Sequence, residues 1–255
     1  MGKLDRKVAI VTGGGTGIGR SIALTFAKEG ADVVVCSRTP STLKEVVNEI
    51  DTLGKRALAI PINVYVKEQV QNMVKQTIRE FGQIDILVND AGIGRNGLIV
   101  DMPEEDWDAV IDTDLKGTFL CMQAVGRHMI ERKQGNIINS SSIMGIRCAR
   151  PGMAVYCAAK AGIELLTKAA TMEFTPYGIR VNCIAPGNIE TPSYRKGRTQ
   201  AEIEQWLTSA RSAPIGRVGE SQEIANVALF LASESSSFIC GECIVVDGGI
   251  NVKMA

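Results

Sequence analysis

The sequence has a single histidine, His128, and no excess of either charge. Lys plus Arg and Asp plus Glu both number 28 in the 255 residues. A chain without net charge has no electrostatic attraction for nucleic acid or for an anionic membrane surface, so we expect neither as a partner. Zinc at Cys240 and Cys243 would need two more ligands, and His128 lies far from them along the chain, so we predict no bound metal. The function must therefore reside in a localised site.

Long apolar runs are also absent. No window approaches the ~18 consecutive apolar residues that a membrane-spanning helix needs, so we expect no transmembrane segment. Met1 to Arg6 lead directly into a strand pattern, without the apolar stretch and small-residue cleavage site of a secretory signal. The expected location is the cytoplasm.

The seven cysteines lack the spacing of a disulfide framework. Cys240 and Cys243 form a CxxC pair, which is compatible with a redox pair or with half of a zinc site. A redox pair normally opens a helix, whose dipole lowers the thiol pKa, but an apolar run from Ile244 to Val246 follows here. We therefore interpret these cysteines as reduced structural thiols.

Short apolar, β-branched clusters alternate with helical patterns along the chain. Because the clusters are apolar on both faces, they predict parallel strands covered by helices on both sides. The fold class expected is α/β: a Rossmann fold in one domain, with a doubly wound, seven-stranded parallel sheet. The seven strand candidates are Lys7–Thr12, Asp32–Cys36, Arg56–Ile62, Ile84–Val88, Asn136–Ser141, Ile179–Ala185 and Cys243–Val246.

Two longer helices are predicted at Glu104–Glu131 and Ala154–Thr175. The segment Pro186–Gln200 is rich in Gly, Pro and charge, and it predicts an exposed loop before a short helix near Glu202–Ala210. We interpret the stretch at about 187–210 as a substrate loop or lid. No repeat or linker marks a second domain, so one domain should cover residues 1–255.

A glycine loop, TGGGTGIG, runs from Thr12 to Gly19 at the end of the first strand candidate. Glycines here let the backbone turn sharply and approach a pyrophosphate at a positive helix end. The spacing is G-x-x-x-G-x-G rather than the common G-x-G-x-x-G. The loop predicts a dinucleotide site, and a strand-to-helix turn without a ligand is the alternative.

The end of the second strand candidate bears on which dinucleotide binds. An acidic residue there bonds the adenosine ribose, whereas an arginine accommodates a 2′-phosphate. This chain has Ser37 and Arg38 at that end, and Asp32 lies at the strand's beginning. The planar guanidinium of Arg38 suits a phosphate, so we predict that NADP(H) is preferred, with NAD(H) as the alternative.

Tyr156 and Lys160 are spaced i and i+4 and should share a helix face. A phenol with a pKa of ~10 holds its proton too firmly to act as a base at neutral pH. Lowering that pKa by ~3 units needs ~4 kcal/mol, which one cation ~4 Å away supplies at an effective dielectric of ~20. Taken alone, however, the YxxxK pattern also occurs by chance on helix surfaces.

Six motifs occur together in this chain, at predicted strand ends. They are the glycine loop, Asn89–Gly92, Ser140–Gly145, Tyr156–Lys160, Pro186–Thr191 and Val245–Gly249. In order and spacing the chain resembles the short-chain dehydrogenase/reductase family over essentially its whole length. Its features are similar to those of 3-oxoacyl-acyl-carrier-protein reductases and, less specifically, of glucose 1-dehydrogenase-like members.

The resemblance implies roles for particular positions. Ser142 would stabilise the substrate oxygen, Tyr156 would transfer the proton, and Lys160 would lower the tyrosine pKa and bond the nicotinamide ribose. The cofactor-binding residues predicted in addition to Tyr156 and Lys160 are Gly13, Gly15, Thr16, Gly17, Ile18, Gly19, Ser37, Arg38, Asn63, Val64, Asn89, Ala91, Gly92, Pro186, Gly187, Ile189 and Thr191.

Four positions depart from the family pattern. Asp114 stands where the family has an asparagine whose backbone carbonyl holds a water that links the lysine to solvent. A carboxylate there would attract Lys160 and weaken its effect on Tyr156, and we include Asp114 among the catalytic candidates. Asp90 replaces a second asparagine, and Asn63 replaces an aspartate beside the adenine. Thr16 stands where NADP-preferring members often carry a basic residue.

The resemblance thus implies an NADP(H)-dependent oxidoreductase that moves a hydride between nicotinamide and a carbonyl or secondary alcohol, on a small substrate that is free or carrier-bound. A ketoreductase acting on 3-oxoacyl groups is favoured. A sugar or cyclic-alcohol dehydrogenase and a non-catalytic dinucleotide sensor are the alternatives. The resemblance also implies a homotetramer assembled through the two long helices. Arginines and neighbours that could meet an anionic substrate, or simply be solvated, are Arg147, Arg150, Tyr194, Arg195, Lys196 and Arg198.

Overall fold

Seven parallel strands form the central sheet of this computed structural model, which describes residues 2–146, 149–195, 199–210 and 213–252. The strands of this sheet are β1 Val8–Thr12, β2 Asp32–Ser37, β3 Ala57–Pro61, β4 Ile86–Asn89, β5 Gly135–Ser140, β6 Ile179–Pro186 and β9 Cys243–Val246. Their order across the sheet is β3-β2-β1-β4-β5-β6-β9. The predicted fold class and its seven strands are confirmed.

Helices cover both faces of the sheet. They are α1 Gly17–Lys28, α2 Pro40–Thr52, α3 Lys67–Phe81, α4 Glu104–Val110, α5 Gly117–Arg132, α6 Ile143–Ile146, α7 Ala154–Phe174, α8 Pro192–Arg195, α9 Gln200–Ala210 and α10 Ser221–Ala232. Phe26 of α1 and Ile224 of α10 belong to one core cluster, and Met73 of α3 and Met129 of α5 to another. Because helices cover both faces of the sheet, a strand such as β1 is fully buried and has no face in contact with solvent.

The first long helix differs from its prediction. Instead of one helix over Glu104–Glu131, α4 and α5 are joined by a π-helical turn at Ile111–Lys116. At the start of α5 the Thr118 hydroxyl donates to the Asp114 carbonyl of this turn at 2.6 Å, and the Asp114 carboxylate lies 3.1 Å from Lys160 of α7. Periodicity alone could not reveal the break, because the apolar stripe continues through it.

The segment after β6 also differs from the exposed loop that was predicted. It contains the short strand β7, Ile189–Glu190, which pairs in parallel with β8, Gly219–Glu220. The helix α8 follows directly. A two-residue strand is too short to leave a periodic signal.

The strand register brings the sequence motifs to one edge of the sheet. Thr12 pairs with Asn89 across β1 and β4, and Pro186 pairs with Val246 across β6 and β9. The strand order reverses between β1 and β4, and ligands of doubly wound sheets bind in the crevice at the carboxyl ends of such strands. The candidate site is therefore at this edge.

The remaining features singled out in the sequence are the histidine and the CxxC pair. His128 accepts a hydrogen bond from the Ile84 amide at 3.3 Å. Cys240 is exposed, whereas Cys243 pairs in register with Cys183 of β6. In the described part of the chain, no cluster of His, Cys, Asp or Glu is arranged to hold a metal ion, and no helix there is long and apolar enough to cross a membrane.

Candidate active site

Tyr156 and Lys160 lie one turn apart on α7, as their spacing predicted. The Lys160 ammonium nitrogen is 5.4 Å from the centre of the Tyr156 ring. Lys160 is only 4% exposed, and Tyr156 is partly open to solvent. The ammonium and the phenol ring are therefore neighbours, with the cation buried and the ring partly open to solvent.

The Lys160 ammonium is held from two sides. It donates to the Ser140 carbonyl at 3.1 Å and lies 3.1 Å from the Asp114 carboxylate. Burial alone would lower the pKa of Lys160, but attraction to Asp114, then to Tyr156 and to Asp90, holds that pKa well above its usual range. The lysine therefore remains a cation throughout the physiological range of pH.

Three consecutive serines after β5 have different partners. The Ser140 hydroxyl donates to Asp90 at 2.6 Å, the Ser141 hydroxyl donates to the Lys160 carbonyl at 2.9 Å, and Ser142 accepts from the Met144 amide at 3.2 Å. Ser142 is only 7% exposed. The first two serines thus attach β5 to the loop after β4 and to α7, and the third marks the start of α6.

Gly145 lets α6 approach α7 very closely. A Cβ at this position would lie 2.5 Å from the Lys160 carbonyl carbon, which is closer than packed atoms allow. The S-x-x-G pattern therefore has a packing reason: the glycine lets α6, which begins just after Ser142, pack against the helix that carries Tyr156 and Lys160.

The glycines of the glycine loop let its backbone form a cradle. Gly13 has a φ of 70°, and a Cβ there would lie 2.9 Å from the Ala91 amide. A Cβ at Gly17 would lie 3.3 Å from Thr191, so the segment after β6 passes over the loop. The first turn of α1 contains no acidic residue that would repel an anion. This cradle fits the pyrophosphate of a dinucleotide.

Asp90 lies beneath this cradle. Its carboxylate accepts the Ser140 hydroxyl at 2.6 Å, and a Cβ at Gly19 would lie 2.9 Å from its Oδ2, so it lies against the first turn of α1. Burial raises the pKa of Asp90 to about 6, against the opposing effects of Ser140, Lys160 and Gly19. The Thr12 hydroxyl accepts the Asp90 and Ala91 amides at 3.1 and 3.2 Å.

The other predicted cofactor residues are distributed around the same edge. Ser37 lies beside Gly15, where a Cβ would be 3.2 Å from its hydroxyl. Arg38 is exposed, and no carboxylate among the described residues is within ion-pairing distance of it. Asn89 is 3% exposed and donates to Asn139 at 2.8 Å, so its side chain links β4 to β5. Just after β3, the Asn63 backbone amide donates to the Gln69 side-chain oxygen at 2.7 Å.

Comparison with known proteins identifies the family. A family model described as enoyl-(acyl carrier protein) reductase matches residues 13–251. The chain is 41% identical to 3-oxoacyl-acyl-carrier-protein reductase FabG of Thermotoga maritima, over 97% of this chain and 99% of that protein. The chain belongs to the short-chain dehydrogenase/reductase family.

Further relatives agree with this assignment. The chain is 42% identical to the (2S)-[(R)-hydroxy(phenyl)methyl]succinyl-CoA dehydrogenase subunit BbsD of Thauera aromatica, over 96% of this chain and 97% of that protein. A short-chain type dehydrogenase/reductase from Mycobacterium marinum superposes with a TM-score of 0.92 at 37% identity, covering 98% of each chain. As a short-chain dehydrogenase/reductase, the protein is an oxidoreductase that interconverts CH–OH and carbonyl groups with a nicotinamide dinucleotide.

Sequence reasoning missed several supporting residues of this short-chain dehydrogenase/reductase site. Thr12, Ser140 and Ser141 hold the loops and helices that carry the predicted residues. The available signal was a polar residue at the buried end of each strand. A buried polar group needs a hydrogen-bond partner, and the facing loop amides and hydroxyls are such partners.

Two residues of the segment predicted to form the lid have partners of their own. Tyr194 stacks on Trp206, with ring centres 3.8 Å apart, and Arg195 pairs with Glu190. Arg150 is exposed. Arg147, Lys196 and Arg198 lie outside the described residues. Arg195 thus already has a carboxylate partner within the segment predicted to form the lid.

A cavity of about 610 Å³ opens at the opposite edge of the sheet. Lys7, Asp85 and Arg180 are among its lining residues, and none of the predicted site residues lines it. The Arg180 guanidinium donates to backbone carbonyls near the end of α10, such as that of Leu231. The hydrogen bonds of Arg180 link β6 to the end of α10 at this edge, which lies away from the motifs described above.

Proposed function

We propose that the protein is an NADP(H)-dependent ketoreductase that reduces 3-oxoacyl groups attached to a carrier. The observation that carries the oxidoreductase chemistry is the buried Lys160 ammonium 5.4 Å from the Tyr156 ring, at the edge where the glycine loop lies. The names of two kinds of relative, a 3-oxoacyl-acyl-carrier-protein reductase and a succinyl-CoA dehydrogenase subunit, support the substrate class.

The chain's own residues would divide the chemistry as follows. When bound, the nicotinamide dinucleotide supplies or accepts the hydride. Tyr156 would donate the proton to the carbonyl oxygen during reduction and remove it during oxidation. Ser142 would hydrogen-bond the same oxygen and stabilise the charge that develops on it. Lys160 would stabilise the phenolate that Tyr156 becomes after reduction.

The substrate loop or lid proposed at about 187–210 would close over the reacting groups. Tyr194 and Trp206 stack between α8 and α9, so these two short helices can move as one unit. Thr191 lies against Gly17 at the start of the segment. Closing such a segment would exclude water from the site.

Two alternative functions compete with this proposal. A sugar or cyclic-alcohol dehydrogenase would use the same proton-transfer residues and differ in the substrate pocket. A dinucleotide sensor would need the glycine loop but no proton donor. The buried and ion-paired Lys160 beside Tyr156 is expensive to maintain without a catalytic use, which disfavours a sensor.

NADPH consumption, followed by absorbance across β-ketoacyl thioesters, β-ketoesters, sugars and cyclic ketones, tests substrate and cofactor together. We expect the thioesters to give the highest kcat/KM and NADPH to exceed NADH. Because Arg38 has no acidic partner among the described residues, it is free to bind the 2′-phosphate. A charge-assisted bond contributes about 1.5–3 kcal/mol, so Arg38→Ala should raise the KM for NADPH about 10- to 100-fold and leave NADH nearly unchanged. A sugar preference, or equal use of NADH, would contradict the proposal.

We propose that four copies of the chain assemble through the two long helices. Phe119 on α5 and Leu165 and Met172 on α7 are 43%, 66% and 80% exposed. Large apolar residues clustered on helix faces are typical of an interface. Light scattering should give the mass of a tetramer, and Leu165→Glu combined with Met172→Glu should give smaller species. A monomeric mass for the unmodified chain would refute this assembly.

A further inference from the structure

A buried carboxylate contacts the lysine of the proposed active site. Asp114 is fully buried, and its Oδ2 lies 3.1 Å from the Lys160 ammonium nitrogen. The Lys160 ammonium is thus the counter-ion of Oδ2. Oδ1 accepts the Ile93 amide at 2.8 Å, which fixes the carboxylate against the loop after β4. Both charges are removed from water, so their interaction is little screened.

We propose that Asp114 is a positioning residue whose carboxylate holds the Lys160 ammonium in place and weakens its electrostatic effect on Tyr156. The inference rests on the proposed function of Tyr156 and Lys160. The Asp114 backbone carbonyl accepts the Thr118 hydroxyl at 2.6 Å, and the side chain makes the direct contact with the lysine.

The sign of the effect of Asp114 on the Tyr156 phenol follows from the charges of the site. They are the Lys160 ammonium on α7, Asp114 on the π-helical turn and Asp90 on the loop after β4. The cation favours the phenolate and the carboxylates oppose it. Burial raises the pKa of Asp90 to about 6, so Asp90 is ionised at alkaline pH and contributes equally to all variants compared there.

Asp114→Asn removes one negative charge with almost no change in shape. A unit charge ~8–10 Å away at an effective dielectric of ~20 shifts a pKa by roughly one unit. We therefore expect the alkaline midpoint of the pH profile of kcat/KM to fall by about one unit. The phenolate titration of the cofactor-free chain should shift equally when followed by ultraviolet difference absorbance. Subtracting the titration of Tyr156→Phe, or of Tyr156→Phe combined with Asp114→Asn for the variant, removes the signal of the other tyrosines.

Asp112→Asn is the matched control. Asp112 lies on the same π-helical turn, is partly exposed and pairs with Lys116 at 2.9 Å rather than with Lys160. The same chemical change there should leave both midpoints at their original values. An equal shift in the control would show that the effect is general to this turn, and would overturn the proposal.

Other outcomes are equally decisive. A slower Asp114→Asn enzyme with unchanged midpoints would make Asp114 merely structural and refute its electrostatic role. Asp114→Ala provides a second charge-free variant, and failure of both variants to fold would also overturn the proposal. Persistent turnover in Tyr156→Phe would instead refute the proposed function, while the ultraviolet titration would still measure the effect of Asp114 on the Tyr156 phenol.

Discussion

Tyr156→Phe is expected to lower kcat by about 10²- to 10⁴-fold, the range that general acid–base catalysis contributes. The phenol oxygen is the only atom of this side chain that can transfer a proton, and phenylalanine lacks it. The ring and its packing beside Lys160 are retained, so the fold should be unaffected. The loss is measured as steady-state NADPH oxidation with the best substrate of the panel.

Cofactor binding separates the catalytic from the structural explanation of that loss. The proposed cofactor residues lie mainly in the glycine loop and at the ends of β2, β4 and β6, so the Kd for NADPH should change little in Tyr156→Phe. Tyr177→Phe is a suitable control, because Tyr177 lies just beyond the far end of α7 and is 43% exposed. Turnover equal to the unmodified enzyme in Tyr156→Phe would show that another group transfers the proton.

The strands were predictable from the sequence because burial on both faces leaves little choice of residue. All five residues of β1 are buried, and its VAIVT sequence needs no tertiary information to be recognised as a strand. The site edge was predictable for the same reason, since motifs that follow parallel strands converge at their carboxyl ends. Errors in individual strand ends, such as Ile84 against Ile86 for β4, left this convergence intact.

The contacts within the site were less predictable. The attraction between Asp114 and Lys160 was foreseen only because the family pattern places Asp114 near the lysine. The carboxylate is delivered by a π-helical turn between α4 and α5, which is a local feature without a periodic signature. Similarly, three adjacent serines look alike in sequence, and only packing against Asp90 and α7 gives them different partners.

Lys160→Met is expected to impair both catalysis and stability. Losing the cation removes the group that stabilises the Tyr156 phenolate, so kcat/KM should fall by about 10²- to 10⁴-fold. It also leaves Asp114 buried without its counter-ion, and breaking such a pair from one side costs about 3–5 kcal/mol. Denaturant unfolding measures the second effect and steady-state kinetics the first.

The stability loss should depend on pH in a defined direction. An unpaired buried carboxylate takes up a proton more readily in the folded chain than in the unfolded chain, so its folded pKa is raised. Stability is then lost as pH rises above the unfolded value, and Lys160→Met should be less destabilised at pH ~5 than at pH ~8. Lys168→Met is the control, because Lys168 lies on the same helix but pairs with Glu164 at the surface. This control should show little change at either pH.

Removing both charges separates the two functions of the lysine. In Lys160→Met combined with Asp114→Asn no buried charge is left unpaired at this contact, so much of the lost stability should return. Activity should not return, because no cation remains beside Tyr156. Recovery of activity together with stability would mean that Lys160 serves only to neutralise Asp114, and the electrostatic account of proton transfer would then be wrong. Recovery of stability alone would establish that the ammonium acts on the phenol independently of its contribution to the fold.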